Sequence, residues 1–250
     1  MSPGWRLVEL EQHDAFTNMA IDEAVSEAVA AGISPPTLRF YTWKPSAVSI
    51  GYFQSLADEV DLAACEAAGV DWVRRRTGGG AVYHDELGEI TYSIIAPERD
   101  FPKGIIDSYR VICGWIIRGL AGIGLQAEFK PINDIVVGGK KISGNAQTRR
   151  GGVLLQHGTI LHDVDVRRMF SLLRVGADKL SDKAIASAEE RVTSVTRQCG
   201  ASRDELYGAL KAAFVSGKDC EPGRWTHAEL ARAKELATSR YRTKEWNELR

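Results

Sequence analysis

The hydrophobic residues of the segment MAIDEAVSEAVAAG recur every three or four positions, and acidic residues occupy the opposite side. This spacing predicts an amphipathic helix, with Asn18 as its N-terminal cap and Gly32 at its end. A broader apolar face at the same spacing predicts a second, buried helix over residues 106–120. Both helices are expected to pack on a sheet.

Short runs rich in β-branched and aromatic residues predict the strands of that sheet. They include LRFYTW, AVSIGYF, VDWVRRR, GEITYSIIAP, LQAEFK, DIVVGGKKIS and GVLLQHGTILH. Gly138 and Gly139 interrupt one run and are typical of a tight hairpin. After Asp163 the chain becomes charged and helical, with capping-box patterns at residues 202–205 and 226–229. Strands first and helices afterwards indicate an α+β fold, a mostly antiparallel mixed sheet with packed helices.

The composition limits the kinds of molecule that this protein is expected to bind. The 250 residues are 44% hydrophobic, enough for a sizeable core, and 32 lysines and arginines nearly balance 33 aspartates and glutamates. No overall field favours nucleic acid or an anionic membrane, and no apolar run reaches the ~18 residues of a membrane span. The first residues carry acids and lack an apolar stretch, so no signal peptide is expected and the predicted location is cytoplasmic.

The cysteines give no sign of a disulfide framework or a zinc site, because none forms a CxxC pair and their spacing is irregular. Cys65 and Cys113 fall in apolar helical patterns, where a small buried thiol is expected.

The segment VRRRTGGGAVYHD carries three arginines directly before three glycines. Strand patterns flank the glycines on both sides, which disfavours the phosphate loops that open a helix. Glycines still let a ligand approach the backbone closely, with N–H groups available to an anion. Strand alternation would place Arg74 and Arg76 on one face and Arg75 on the other. The alternative is a flexible hairpin with solvated arginines.

Two further segments offer polar side chains beside glycines. Lys141 follows the predicted hairpin and precedes Gly144, so it could stabilise charge on a bound anion, with Lys140 facing the opposite way. His157 precedes Gly158 and could contact a ligand. The alternatives are a surface lysine and a hydrogen-bonded strand histidine. GxSxG, HExxH and cysteine–histidine patterns are missing, so we expect an anion-binding cleft rather than a covalent nucleophile.

The segments RRRTGGGAVYHD, NDIVVGGKKISGNAQ and HGTILH, together with NMAIDEAV and YRTKEWN, resemble the lipoate–protein ligase family. The resemblance covers nearly the whole chain. It implies the class II synthetase-like fold of biotin and lipoyl ligases, with residues 1–250 as a single catalytic domain. The C-terminal accessory domain of many members is missing from this sequence, so a separate accessory subunit is a possible partner.

The resemblance also implies roles for individual residues. Lys141 would be catalytic, contacting the lipoyl carbonyl and the α-phosphate, and Arg76 would bind the adenylate. Asp134, with Asn133, would lie near the adenylate and its Mg²⁺, and His157 near the acyl chain. The remaining expected substrate- or adenylate-binding residues are Thr77, Gly78, Gly79, Gly80, Ala81, Val82, Tyr83 and His84.

The function implied is an ATP-dependent lipoate–protein ligase or its catalytic subunit, with ATP and Mg²⁺ as cofactors and lipoate as substrate. The acceptor would be a lysine of a lipoyl domain, such as a 2-oxoacid dehydrogenase E2 or a glycine-cleavage H protein. The first alternative is an ATP-independent octanoyl- or lipoyltransferase between carrier proteins. The resemblance disfavours it, because a related octanoyltransferase group uses a cysteine nucleophile in the loop before the lysine segment, and AEFKPINDI has no cysteine there. The second alternative is a lipoyl-binding protein without activity.

Overall fold

The computed structural model describes residues 4–163, 165–174 and 189–250. Its strands, in chain order, are β1 Trp5–His13, β2 Thr37–Trp43, β3 Ala47–Ile50, β4 Asp71–Arg74, β5 Val82–His84, β6 Glu89–Pro97, β7 Ala127–Lys130, β8 Asp134–Val137, β9 Lys140–Arg150, β10 Val153–Leu161 and β11 Cys220–Pro222. They form an eight-stranded sheet in the order β11-β1-β2-β6-β10-β9-β8-β7 and a three-stranded sheet in the order β4-β3-β5.

The large sheet is mixed and mostly antiparallel, as the sequence predicts. Only β1 runs parallel to its neighbours, β2 and β11, and every other pairing is antiparallel. In the small sheet β3 is parallel to β4 and antiparallel to β5. β6 and β10 are buried along almost their whole length, so they form the centre of the molecule.

Helices cover the sheets. They are α1 Ala15–Ala30, α2 Leu56–Glu59, α3 Leu62–Ala67, α4 Ile105–Gly122, α5 Val166–Leu172, α6 Val195–Gln198, α7 Arg203–Val215, α8 His227–Leu236 and α9 Lys244–Asn247. A 3₁₀ turn spans Glu98–Asp100 and a π-helical turn spans Ala237–Tyr241. Both predicted capping boxes are present, at the starts of α7 and α8.

Three apolar clusters stabilise this arrangement. The largest packs α4 and α7 against one face of the large sheet around Phe40, Tyr92 and Phe214. A second packs α1 and α8 against the other face, and a third lies between the small sheet, α3 and α5. The sheet is therefore covered on both faces.

One local prediction was wrong, and two strands were not predicted. The first helix begins at Ala15 with Asp14 as its cap, because the Asp14 carboxylate accepts from the Thr17 amide. Asn18 is buried one turn later and donates to the carbonyls of His13 and Thr42. The strands that were not predicted are β1 and β11, which pair with each other at one edge of the large sheet. Among the described residues, no helix is both long and apolar enough to cross a membrane.

Candidate functional site

A cavity of about 290 Å³ lies between the two sheets. This is close to the lower end of the volumes usual for small-ligand pockets. β2, β3, β5, β6, β9 and β10 all contribute side chains to its walls. Of the predicted site residues, those at 79–84 line it, as do Asn133, Lys141 and His157. Residues more than 120 positions apart in sequence thus meet at one apolar-walled chamber.

Four predicted site residues support the wall rather than form it. The Thr77 hydroxyl lies 2.7 Å from His157 Nε2, and the Gly78 carbonyl accepts from Arg75 at 2.7 Å. Asp134 forms an ion pair with Lys141 at 2.7 Å. The fourth, Arg76, pairs with Glu23 of α1 at 3.1 Å.

The structure reverses the expected orientations of Arg75 and Arg76. Arg75 lines the cavity and is 5% exposed. Its guanidinium donates to the carbonyls of Gly78 and Gly80 at 2.7 Å each, so it fixes both sides of the glycine loop. The reason is local: β4 ends at Arg74, so strand alternation does not continue through the next two residues. Burial lowers the pKa of Arg75 to about 10, which leaves it charged at neutral pH.

Arg74 ties the strand that carries this loop to the C-terminal part of the chain. Its side chain is fully buried, and it donates to the carbonyls of Gly51, Trp246 and Asn247 at 2.8–3.2 Å. The Asn247 side chain accepts from the Arg74 amide at 2.7 Å. The glycine loop therefore rests on a strand that α9 holds in place.

Glycines permit two close backbone approaches at the cavity. A Cβ on Gly51 would lie 2.0 Å from the Gly79 carbonyl oxygen, so the loop packs directly on that backbone. A Cβ on Gly158 would lie 2.1 Å from the Asn145 side-chain oxygen. Gly79 itself has φ +94°, a conformation that other residues rarely adopt. These glycines define the shape of the chamber.

One polar chain starts at Glu89, which is 1% exposed. Its carboxylate lies 2.7 Å from His84 Nδ1, and His84 Nε2 lies 2.8 Å from the Ser49 hydroxyl. The imidazole stacks on Trp43, with ring centroids 3.9 Å apart and an interplanar angle of 15°. Arg75 donates to the Ser49 hydroxyl at 3.1 Å. The carboxylate, imidazole and hydroxyl are thus linked in series inside the cavity.

A second chain starts at Asp22, which is also buried. Asp22 accepts from Arg39 at 2.9 Å and lies 3.1 Å from His157 Nδ1. Burial opposes ionisation of Asp22, but the hydrogen bond from His157 and the charge of Arg39 prevail and lower its pKa. Burial lowers the pKa of His157, so its imidazole is neutral and its Nε2 can accept from Thr77. This chain orients His157 at the cavity wall.

Lys141 supplies a cation to the cavity, while Lys140 is exposed and does not line it. The ammonium of Lys141 pairs with Asp134, the residue expected near Mg²⁺. Among the described residues, no cluster of three or more histidine, cysteine or acidic side chains is arranged to hold a metal ion. The surroundings of Asp134 therefore fit a lysine partner and do not form a metal-ligand set.

Asp22, Ser49, Arg75 and Glu89 are among the polar residues at the site that were not predicted from the sequence. Asp22 was assigned to the polar side of a helix, and Ser49 and Glu89 were placed only on strands. Their partners are 135, 35 and 5 positions away, so no short motif marks them. The alternation in AVSIGYF and GEITYSIIAP was the one available signal, since it placed Ser49 and Glu89 among apolar neighbours.

Residues 14–215 match the family described as the lipoyl protein ligase A/B catalytic domain. Octanoyltransferase LipM of Kyrpidia tusciae is 40% identical, covering 97% of this chain and 98% of the relative. Octanoyltransferase LipM of Brevibacillus brevis is 37% identical, also covering 97% of this chain and 98% of the relative.

Solved structures share the fold. A bi-partite lipoate protein ligase from Thermoplasma acidophilum superposes with a TM-score of 0.88 at 33% identity, covering 98% of this chain and 96% of that one. A lipoate-protein ligase A bound with ATP gives a TM-score of 0.85 at 32% identity, covering 98% and 99%. The predicted biotin/lipoyl ligase fold is confirmed.

The expectation of an ATP-dependent ligase was wrong, because the curated relatives that span the whole chain at 37–40% identity are octanoyltransferases. Bound ATP belongs to a structural neighbour that is 32% identical to this chain. The glycine loop and the lysine hairpin, on which that expectation was based, indicate where a ligand can be held and do not identify the leaving group of the reaction.

Proposed function

The chain belongs to the family of lipoyl protein ligase A/B catalytic domains, and from this premise we propose that it is an octanoyltransferase. It takes an octanoyl group from the thioester of a carrier protein and transfers it to a lysine of an acceptor domain, without ATP. The observation that carries the proposal is the full-length similarity to octanoyltransferases at 37–40% identity.

The cavity suits such a substrate. An octanoyl chain is apolar, and each CH₂ removed from water contributes ~0.8 kcal/mol to binding. Apolar side chains for this contact come from Met19, Trp43, Val82, Leu161 and Met169. The glycine loop leaves room for the chain next to the backbone.

Lys141 supports the chemistry of transfer. When a nucleophile attacks a thioester carbonyl, negative charge develops on the carbonyl oxygen. A fixed ammonium beside that oxygen stabilises the transition state more than the ground state. Lys141 lines the cavity and is held by Asp134 at 2.7 Å, so its position is set before substrate binds.

The proposal is tested by incubating the protein with an octanoyl-carrier protein and a lipoyl-acceptor domain, with no ATP. We expect the acceptor to gain the mass of one octanoyl group. A parallel reaction contains free octanoate, ATP and Mg²⁺ in place of the carrier. An acceptor that stays unmodified with the carrier donor would overturn the proposal.

Lys141→Ala should lower kcat by roughly 10²–10³, the effect of removing one group that stabilises an oxyanion. Lys140→Ala is the matched control, since it removes a neighbouring lysine that is exposed and outside the cavity. Equal activity of the two variants would show that the charge of Lys141 does not act on the reaction.

A further inference from the structure

We propose that Ser49, His84 and Glu89 form a nucleophilic triad and that the octanoyl group passes through an ester on Ser49. This inference rests on the proposed octanoyltransferase function and names the nucleophile of that reaction. Three strands supply the triad: Ser49 is on β3, His84 ends β5 and Glu89 begins β6.

The distances are those of a serine, histidine and acid triad. The Ser49 hydroxyl is 2.8 Å from His84 Nε2, and His84 Nδ1 is 2.7 Å from Glu89. Such a triad is recognised by geometry and by the roles of its members rather than by their order in the chain. All three side chains line the cavity. The nucleophile therefore lies where an acyl group would be bound.

The surrounding hydrogen bonds orient the protons for catalysis. Arg75 donates to the Ser49 hydroxyl, so the hydroxyl's own proton is directed to His84 Nε2. Glu89 has no proton to donate when ionised, so His84 carries its proton on Nδ1. Trp43 stacks on the ring and keeps it in this orientation. The positive charge of Arg75 also stabilises the alkoxide as Ser49 loses its proton.

The cysteines offer no thiol at the same place. All four lie in the described part of the chain, and none lines the cavity. Cys65 and Cys113 are fully buried in apolar clusters. Burial raises the pKa of Cys65 to about 11 and that of Cys113 to about 12, so neither forms a thiolate at neutral pH. A thioester on the protein thus has no suitable position in the chamber.

In the described part of the chain, the Thr77 hydroxyl is also paired with a histidine side chain, but Thr77 does not line the cavity. Its oxygen also accepts from Arg75 Nε at 3.1 Å, which places it behind the guanidinium. The Thr77 chain therefore orients His157, whereas Ser49 faces the chamber.

The bonds and protons of the transfer balance without a further reactant. In the first half, the Ser49 oxygen attacks the thioester carbonyl and its proton moves to His84 Nε2. The new C–O bond forms, the C–S bond breaks, and the leaving thiolate takes the proton from His84. In the second half, the neutral amine of the acceptor lysine attacks the ester and gives a proton to His84. The C–N bond forms, the C–O bond breaks, and Ser49 recovers its proton.

The direct test uses the wild-type protein with octanoyl-carrier protein and no acceptor. We expect the intact mass to rise by one octanoyl group, and fragmentation of the digested protein to place it on Ser49. The adduct should resist neutral hydroxylamine, because an oxygen ester is less reactive than a thioester, and should disappear when acceptor domain is added. An adduct on a cysteine, or transfer with no adduct at all, would overturn the inference.

Variants separate chemistry from structure. Ser49→Ala should lose the adduct and at least about 10³-fold in kcat, since removal of a triad nucleophile has effects of that size or more. Ser49→Cys should form an adduct that neutral hydroxylamine cleaves, a change that a purely structural role would not produce. Ser239→Ala, an exposed serine in the π-helical turn, is the control.

Failure of the triad and failure of the proposed function give different results. If Ser49→Ala keeps wild-type transfer, the triad is wrong while the octanoyltransferase function stands. If the wild-type protein transfers nothing from the carrier, the proposed function itself fails. Thermal unfolding of each variant shows whether a loss of activity reflects a loss of fold.

Discussion

Replacing Gly51 with alanine tests how strictly the glycine loop must be positioned. The added Cβ would lie 2.0 Å from the Gly79 carbonyl oxygen and 3.1 Å from the carbonyl carbon of Gly78. Carbon–oxygen contacts between backbones are normally about 3.3 Å or longer, so the loop must move by ~1.3 Å. The obstacle is backbone, which cannot rotate away as a side chain could. The neighbouring carbonyls of Gly78 and Gly80 are both held by Arg75.

The expected effect on activity follows from this displacement. Misplacing a substrate-contacting group by about 1 Å can cost ~10²-fold in rate, so kcat/KM for octanoyl transfer should fall by that order. Crowding of a packed site should also lower the free energy of unfolding by ~1–3 kcal/mol. Transfer kinetics and denaturant unfolding measure the two effects separately.

Gly208→Ala is the matched control, because Gly208 lies within α7 and a Cβ there meets nothing within 4 Å. Alanine in the helix interior should raise the free energy of unfolding by ~0.5–1 kcal/mol and leave transfer unchanged. A Gly51→Ala protein with kcat/KM within about threefold of wild type would show that the loop does not need this position to act.

Two further predictions concern charged side chains. In the transfer assay, Arg75→Met should lower kcat/KM by at least tenfold more than Arg76→Met does. The reason is that Arg75 holds the glycine loop, while Arg76 pairs with α1. A larger loss for Arg76→Met would contradict this assignment. Burial opposes ionisation of Glu229, but hydrogen bonds from Arg6 and the Thr226 amide lower its pKa to about 2 from 4.5. Since the folded-state pKa is below the unfolded one, this stabilisation is complete above about pH 4.5 and is lost as pH falls toward 2. Denaturant unfolding measures how much larger the free energy of unfolding is for wild type than for Glu229→Gln. This difference should shrink by at most ~3 kcal/mol between pH 6 and pH 2.5. A difference that stays constant over this range would refute the reasoning.

The lysine hairpin was predictable because its signal is local. Gly138 and Gly139 adopt φ values of +56° and +77°, which only glycine tolerates easily, and so the two adjacent residues mark the turn in the sequence. The turn then fixes which of Lys140 and Lys141 faces the cavity. The capping boxes of α7 and α8 were predictable for the same reason.

Arg75 was assigned to the wrong side because the strand pattern gives no sign of where a strand stops. Its final position depends on five acceptors on Ser49, Thr77, Gly78 and Gly80, which the folded loop brings around it. Ser49 and His84 come within hydrogen-bond distance because β3 pairs antiparallel with β5. No local motif encodes such a partnership, and so no covalent nucleophile was predicted from the sequence.

The reaction is harder to predict from the sequence than the location of the site. A glycine loop and a lysine hairpin indicate where a ligand can be held. They do not indicate whether the leaving group is a nucleotide or a thiol, because either one departs from the same carbonyl carbon. In the proposed transfer, that distinction depends on Ser49 and its partners, which come from separate strands.

The hydrogen bonds between Arg74 and α9 can form only late in translation. They join positions 173 residues apart, and the strand they hold carries the glycine loop. During translation, β4 and the loop leave the ribosome long before residues 244–247 are made. The strand gains this support only once α9 has emerged, so a nascent chain that stops before residue 244 lacks the bonds that hold β4 in place.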